Sequence, residues 1–214
     1  MSMLKDSDKK KLAKAFEELD QDVTIVMFTQ EIECEYCQVT REVLEEVASL
    51  SPKITLVLKD FVKDADEAAS YGVDKIPATI LLGDKDYGIR FFGVPAGYEF
   101  TSLIEDILDV SHRDPHISQA VLDELAKVDA PVHLQAMVTP TCPFCPRAVR
   151  VAHRFAMASD HIRADMVEIS EYPFLAVKYD VQGVPNTIIN EEHSALGALP
   201  DKELAQALLE ALGK

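Results

Sequence analysis

The chain has 214 residues, of which 48% are hydrophobic, as is ordinary for a protein that folds around a buried core. Its 37 acidic and 21 basic side chains give a formal net charge of −16, which argues against nucleic acid and anionic lipid as main partners. No apolar run has the length of a membrane helix, and the first residues lack the apolar core of a signal peptide. We therefore expect a cytoplasmic protein without a nucleic-acid or membrane partner.

The first half of the chain is predicted to contain eight elements in the order α-β-α-β-α-β-β-α. The first helix is amphipathic, and the first strand is so uniformly apolar that both of its faces are expected to be covered. The predicted elements are residues 8–19, 23–28, the helix after Cys34, and residues 54–58, 65–71, 78–82, 89–92 and 101–110.

The second half repeats this order after a polar, proline-containing stretch at residues 110–116. We predict two domains, residues 1–114 and 115–214, which suits the usual size of a domain. The predicted elements of the second half are residues 118–127, 132–138, 142–157, 163–169, 173–179, 187–190, 195–198 and 204–212.

All four cysteines lie in two Cys-x-x-Cys pairs, Cys34 with Cys37 and Cys142 with Cys145. Each pair follows an apolar predicted strand and is followed by a predicted helix. Two side chains one helical turn apart can reach disulfide distance, and a helix N-terminus stabilises a thiolate. The arrangement therefore favours dithiol–disulfide chemistry.

The two pairs belong to an internal repeat. A shift of 108 residues maps the first pair onto the second, and it also maps residues 76–80 onto residues 184–188 without a gap. Further on the shift falls to 104, because Gly93 matches Gly197. One supersecondary unit is therefore used twice, with a shorter hairpin in the second copy.

A four-cysteine zinc site is the alternative explanation of the two pairs. Zinc ribbons separate their cysteine pairs by roughly 15 to 20 residues, whereas about a hundred residues and a complete folding unit intervene here. Cysteines in most cytosols stay reduced, so paired cysteines in a protein of this kind indicate catalysis or metal binding. The spacing favours the redox site, and we predict no metal.

The cysteine pairs, the later proline of each unit and the order of elements resemble the thioredoxin superfamily, twice over. Two units that both carry Cys-x-x-Cys are similar to the glutaredoxin-like protein disulfide oxidoreductases of hyperthermophilic archaea and bacteria. The most specific segments are residues 142–146 (Cys-Pro-Phe-Cys-Pro), 147–150 (Arg-Ala-Val-Arg) and 179–185 (Tyr-Asp-Val-Gln-Gly-Val-Pro). The first pair departs from this pattern by carrying Glu35 where the second has Pro143.

The resemblance implies an α/β fold of two tandem thioredoxin-like units, each a central mixed β-sheet flanked by helices. It also implies a thiol–disulfide oxidoreductase that forms, reduces or isomerises disulfides in proteins without a cofactor. By position, the resemblance implies that Cys34 and Cys142 attack the substrate and that Cys37 and Cys145 resolve the mixed disulfide. The implied partners are protein thiols and disulfides, and a thioredoxin reductase.

Each unit also carries a proline that corresponds to the superfamily's cis-proline, Pro77 in the first and Pro185 in the second. Ile76 and Val184, which precede these prolines, would offer backbone groups to an extended substrate peptide. A proline that simply begins a strand is the alternative, but the residue recurs in both copies at the same distance from the cysteines.

The buried aspartate that a thioredoxin carries six residues before its first cysteine is missing here. Phe28 and Ala136 occupy those positions. Asp60 and Glu168 lie 108 residues apart at the ends of the second predicted strands, where strand alternation allows either to face the buried cysteine. We consider both as candidates for proton transfer, with solvated strand ends as the alternative.

Two other functions fit the same sequence. One is an electron-relay module similar to the N-terminal region of the alkyl hydroperoxide reductase flavoprotein, in which one of two thioredoxin-like folds has lost the cysteines that this chain keeps. The other is a non-enzymatic metal-binding or chaperone-like module.

The charges near the two cysteine pairs differ in sign. Nearby anions disfavour a thiolate and nearby cations favour it, so we predict a lower pKa for Cys142 than for Cys34. The alternative is that all these charges point into solvent and that the pairs differ little. The acids near the first pair are Glu31, Glu33 and Glu35, and the arginines near the second are Arg147, Arg150 and Arg154.

Overall fold

A computed structural model describes residues 3–214 and confirms the predicted order of elements in both halves. The first helix ends four residues earlier than predicted, at Ala15, and a short 3-10 turn, Phe16–Glu18, follows it. The elements of the first unit are α1 (Asp6–Ala15), β1 (Val23–Thr29), α2 (Cys37–Ala48), β2 (Ile54–Asp60), α3 (Ala65–Ser70), β3 (Ala78–Leu82), β4 (Asp86–Phe92) and α4 (Glu99–His112).

The second unit contains the same elements in the same order. Its long helix begins at Cys145 and not at Cys142 as predicted, because the Cys142 amide donates to the carbonyl of Thr139 in a turn that precedes the helix. The elements are α5 (Gln119–Leu125), β5 (Val132–Val138), α6 (Cys145–Ala158), β6 (Ile162–Glu168), α7 (Pro173–Lys178), β7 (Asn186–Ile189), β8 (His193–Leu196) and α8 (Asp201–Ala211).

All eight strands form a single mixed sheet in the order β2-β1-β3-β4-β6-β5-β7-β8. The units join where β4 pairs in parallel with β6, with Phe91 opposite Met166. The predicted boundary between the units falls in the connection between α4 and α5. Independent folding of residues 1–114 and 115–214 stays a prediction.

Side-chain alternation along the strands divides the core into two layers. In β1, Ile25 and Met27 pack in the layer that also contains residues of α2 and α4, whereas Val26 and Phe28 pack in the layer that contains residues of α3 and α7. Helices α5, α6 and α8 share a further cluster in the second unit. None of the helices in residues 3–214 combines the length and the apolar run that a bilayer crossing requires.

The topology brings both cysteine pairs to the same edge of the sheet. β1 and β5 run in the same direction, because β1 and β4 are each antiparallel to β3 and the β4, β6 and β5 strands are mutually parallel. The cysteine pairs follow the carboxyl ends of β1 and β5. These two strands lie four strand spacings apart, roughly 19 Å of sheet width.

Candidate redox sites

Each cysteine pair bridges the turn between a central strand and the helix that follows it. Cys34 and Cys37 form one disulfide with a Cα–Cα distance of 5.4 Å, and Cys142 and Cys145 form the other with 5.5 Å. These distances are ordinary for disulfides. The four cysteines are thus used in two separate sites, the first site (Cys34–Cys37) and the second site (Cys142–Cys145), and no cysteine is left unpaired.

The two cysteines of a pair differ in exposure. Cys37 and Cys145 are the first residues of α2 and α6 and are 2% and 0% exposed. Cys34 is half-buried and Cys142 is 9% exposed. In both sites the N-terminal cysteine is therefore the one that a substrate can reach, and the C-terminal cysteine is shielded.

The predicted prolines lie beside the cysteine turns. The Ile76–Pro77 and Val184–Pro185 peptide bonds are both cis. Pro77 directly precedes β3 and Pro185 directly precedes β7, the strands that pair with the carboxyl ends of β1 and β5. At the second site the Sγ atom of Cys142 lies 3.9 Å from the carbonyl oxygen of Val184. The backbone before the proline therefore borders the reactive sulfur there.

The two carboxylates that the sequence suggested for proton transfer are held in local turns. Asp60 accepts hydrogen bonds from the amides of Val62 and Lys63, and the bond from Lys63 contributes most to lowering the pKa of the Asp60 carboxyl. Glu168 is 4% exposed and accepts hydrogen bonds from the amides of Ser170 and Glu171. A role in proton transfer stays a prediction for both.

Glu99 is a buried carboxyl that the sequence analysis missed. It is the first residue of α4, is 1% exposed, and accepts a hydrogen bond from the Ser102 hydroxyl at 2.7 Å. Its other oxygen has no hydrogen-bond partner within residues 3–214. Burial raises the pKa of Glu99 to about 7, although the Ser102 hydrogen bond acts in the opposite direction.

Glu99 belongs to the first unit, but the residue before it contacts the turn that leads to the second site. The amide of the preceding residue, Tyr98, donates to the carbonyl of Pro140, two residues before Cys142. The sequence did carry a signal for this residue. Glu99, Ser102 and Asp106 fall at helical spacing on the same face of α4 as Leu103 and Ile107, so polar groups occupy a face that is otherwise apolar.

A buried cluster of charged groups joins α4 of the first unit to α6 of the second. Arg150, 5% exposed, contacts the carboxylates of Asp106 and Asp109 and donates to Glu105 at 3.0 Å. Burial lowers the pKa of Arg150 to about 10. His153 lies next to Arg150, is fully buried, and has its Nδ1 atom 2.6 Å from a carboxylate oxygen of Asp106. Burial lowers the pKa of this histidine to about 3.

This cluster corrects the sequence-based account of charge at the second site. Arg150 and Arg154 are not free cations near Cys142, because both contact acids of α4, with Arg154 at 3.4 Å from Asp109. Those acids are more than forty residues away in sequence, so inspection of the neighbouring chain could not find them. Arg147 is exposed and remains the cation of α6 that faces solvent near the pair.

Comparison with known proteins supports the same architecture. A family model described as Thioredoxin domain matches residues 132–210, which is most of the second unit. The crystal structure of a protein disulfide oxidoreductase from Aeropyrum pernix is similar over 98% of this chain and 94% of its own, with a TM-score of 0.90 and 26% identity. The chain consists of two tandem thioredoxin-like units. Each unit carries a Cys-x-x-Cys disulfide, which supports the prediction of a thiol–disulfide oxidoreductase.

Other similar proteins are parts of larger redox enzymes. The NTD_N/C domain of an alkylhydroperoxide reductase from Enterococcus faecalis matches the tandem units with a TM-score of 0.89 and 28% identity, over 96% of this chain and 99% of its own. A protein named NADH dehydrogenase from Bacillus subtilis is 27% identical over 161 residues, 75% of this chain. The chain spans about 30% of the length of the curated relatives it matches.

Proposed function

We propose that the protein exchanges thiols and disulfides with protein substrates through both sites. The observation that carries the proposal is the pairing, in two copies, of a reachable cysteine with a shielded one at a helix N-terminus. The reachable cysteine precedes that helix by three residues, and the partial positive charge of the helix N-terminus favours its thiolate, which is the attacking species. A shielded partner is then available to release the substrate.

The exchange proceeds in two displacements, described here for the second site in the reducing direction. The Cys142 thiolate attacks one sulfur of the substrate disulfide, a mixed disulfide forms, and the other substrate sulfur leaves as a thiolate. The Cys145 thiolate then attacks the Cys142 sulfur and displaces the second substrate thiolate. The enzyme dithiol has lost two electrons and the substrate disulfide has gained them. The reverse sequence oxidises a substrate dithiol.

The backbone at Ile76 and Val184 is proposed to dock the substrate peptide. At the second site the Val184 carbonyl lies beside the Cys142 sulfur, so an extended peptide paired with this segment brings its own cysteine close to Cys142. The repeat extends the same role to Ile76 beside Cys34.

Glu99 is proposed as the group that takes the proton from the Cys145 thiol. A carboxyl with a pKa of about 7 can accept and release a proton near neutral pH. It is buried at the start of α4, and the Tyr98 amide next to it donates to the carbonyl of Pro140, two residues before Cys142, which is the basis for proposing it on the shielded side of the second site. Asp60 stays a candidate for the corresponding step at Cys37, and Glu168 stays a candidate for the step at Cys145. Substituting each by the corresponding amide in single-site proteins compares them with Glu99.

Reduction of insulin disulfides tests the proposed function. The native protein, recycled by dithiothreitol, is expected to accelerate insulin reduction, and the combined variant Cys34→Ser and Cys142→Ser is expected to show only the background rate of dithiothreitol. Each single variant serves as the matched control because it keeps one complete site. Insulin reduction by the combined variant at the native rate would contradict thiol–disulfide exchange at these cysteines.

An electron-relay role is the second candidate, and the similarity to parts of larger redox enzymes favours it. In this role the disulfides are reduced by a flavoprotein of the thioredoxin reductase type and pass electrons to another protein. Mixing the oxidised protein with NADH and such a flavoprotein should consume one NADH per disulfide reduced. Insulin reduction that dithiothreitol supports and the flavoprotein does not would argue for the first candidate alone.

Protein thiols and disulfides are therefore the proposed substrates, and a thioredoxin reductase is the proposed electron donor. A cytoplasmic location stays a prediction from the sequence.

A further inference from the structure

The first site receives a hydrogen bond from the other unit that has no counterpart at the second site. In both units the carbonyl of the cis-proline accepts a hydrogen bond from the amide of the glycine that follows the hairpin, with a distance of 3.0 Å from Gly93 to Pro77 and 2.8 Å from Gly197 to Pro185. The Pro77 carbonyl accepts a second hydrogen bond, from the hydroxyl of Tyr172, at 3.2 Å. Tyr172 belongs to the second unit.

The surroundings of Tyr172 keep its hydroxyl in this position. The side chain is 6% exposed, and burial raises the pKa of the phenol, so the hydroxyl stays protonated and donates. Its ring packs in the same core layer as Val73, Ala78 and Phe92 of the first unit. The ring edge also faces Phe174, with the two ring centroids 6.3 Å apart.

The segment before Tyr172 is fitted closely to the first unit. Glu171 accepts a hydrogen bond from the amide of Val94 at 2.7 Å. Gly93 has a φ of 98°, and a Cβ at this position would lie 2.8 Å from the Cβ of Glu168, so glycine allows the two segments to approach. Glu168 in turn accepts hydrogen bonds from the amides of Ser170 and Glu171. Residues 168–172 are therefore held by hydrogen bonds and close packing against the first unit, beside Pro77.

The strand order of the sheet explains why only the first site is covered by such a segment. Beyond β4 of the first unit the sheet continues into β6, which carries residues 168–172 at its end. Beyond β8 of the second unit the sheet ends. No side chain of residues 3–214 donates a hydrogen bond to the Pro185 carbonyl. The second site thus serves as an internal control for the added contact.

We propose that Tyr172 is a positioning residue for the first site, acting across the boundary between the units. Its hydroxyl fixes the Pro77 carbonyl and so orients the adjoining Ile76 backbone, which under the proposed function pairs with the substrate peptide. The inference rests on that proposed function. It assigns to the second unit a part in substrate docking at the first site.

Tyr172→Phe tests the proposal because it removes the hydroxyl and keeps the ring. The variant is placed in a first-site protein (Cys142→Ser and Cys145→Ser) and in a second-site protein (Cys34→Ser and Cys37→Ser). Reduction of insulin and of hydroxyethyl disulfide is measured for each, with dithiothreitol as reductant. The small disulfide needs no pairing with the Ile76 backbone, so it separates docking from sulfur chemistry.

The expected result is a loss confined to one site and one substrate. In the first-site protein kcat/KM for insulin should fall about five-fold, mainly through KM, as suits the loss of one hydrogen bond. The rate with hydroxyethyl disulfide, the melting temperature and all rates of the second-site protein should not change. Tyr179→Phe is the matched control, since its hydroxyl accepts hydrogen bonds from Gln135 and Lys178 in the second unit.

Other outcomes overturn the proposal in distinguishable ways. Unchanged insulin kinetics in the first-site Tyr172→Phe protein removes the positioning role. Equal losses with both substrates, or at both sites, show a general structural role instead. A first-site protein that reduces neither substrate, before Tyr172 is changed, contradicts the proposed function of that site and the positioning role with it.

Discussion

The two redox sites share their local geometry and differ in what surrounds them. Both place a reachable cysteine before a shielded one, and both disulfides span nearly equal Cα–Cα distances of 5.4 and 5.5 Å. On its proline side, the side of β3, the first site faces the interior of the tandem sheet, where the second unit covers it. On its proline side, the side of β7, the second site faces the free edge strand β8, where Leu196 is 64% exposed. The repeat therefore sets the chemistry, whereas position in the sheet sets access and charge.

The residues around the cysteines also differ between the two sites, in charge. The first site exposes acids, with Glu33 and Glu35 on either side of Cys34. The second exposes Phe144, at 69%, and the cation Arg147. Since anions disfavour a thiolate and cations favour it, Cys142 is expected to be the stronger nucleophile. The following predictions test separate parts of this comparison.

Arg150→Met is expected to have the largest effect, and the effect is on stability. The substitution removes the cation that contacts both Asp106 and Asp109 and leaves only Arg154 beside Asp109. Removing one partner of a buried ion pair costs about 3–5 kcal/mol. Urea unfolding measures this loss. The pKa of Cys142 should change little, because these acids already offset the charge of Arg150.

Arg147→Met is the control for that variant. Arg147 is exposed, so the free energy of unfolding of the Arg147→Met protein should stay within about 0.5 kcal/mol of the native value. Its loss should nevertheless raise the pKa of Cys142 more than the loss of Arg150 does. The opposite order of the two pKa changes would show that Arg150 supports the thiolate directly.

Glu99→Gln is expected to slow the second site and to change the dependence of stability on pH. Resolution by Cys145 should become about ten-fold slower, since a positioned proton acceptor is lost. Burial raises the pKa of Glu99 from 4.5 to about 7, so folding favours the protonated form. Its contribution to stability is therefore complete below about pH 4.5 and is lost as the pH rises through about 7, in total about 3 kcal/mol.

Glutamine cannot ionise, so the decline between about pH 4.5 and 7 should be shallower in Glu99→Gln. Stopped-flow measurement of mixed-disulfide decay and urea unfolding at several pH values test the two parts. Glu203→Gln is the matched control, because Glu203 is exposed and occupies the equivalent position at the repeat shift of 104. An equal effect of both substitutions would remove Glu99 from the second site.

The sequence predicted everything that follows from the repeat itself. A gap-free shift of 108 located both cysteine pairs and both prolines. The match of Gly93 with Gly197 at a shift of 104 is also found in the structure, where the amides of these glycines donate to the carbonyls of Pro77 and Pro185 respectively. Strand β5 was predicted to the residue, because a mostly apolar run between Pro131 and Pro140 leaves little freedom for its ends.

Contacts between the units could not be predicted, because they depend on how two repeats meet. The pairing of β4 with β6 has no counterpart within one repeat, so nothing in the pattern indicated it. Tyr172 beside Pro77 and Arg150 beside Asp106 depend on that pairing. The polar residues on the apolar face of α4 were visible in the sequence, but their partners were not.

Glu35→Gln is expected to have the smallest effect and to act at the first site alone. Removing this exposed anion should increase the rate of thiolate attack by Cys34 about two-fold at low salt. The gain should shrink in 1 M salt, where the Debye length is about 3 Å. Glu17→Gln, which removes the same charge outside the cysteine turn, is the control. A gain that does not depend on salt would point to a cause other than charge.

The pKa values of Cys34 and Cys142, measured separately, test most directly whether position makes the two sites unequal. Each thiolate is followed by its ultraviolet absorbance in reduced first-site and second-site proteins at low salt, and insulin reduction by Cys34→Ser and Cys142→Ser is measured alongside. The account predicts a lower pKa for Cys142 and a greater loss of activity in Cys142→Ser. A lower pKa for Cys34, or a greater loss in Cys34→Ser, would contradict it.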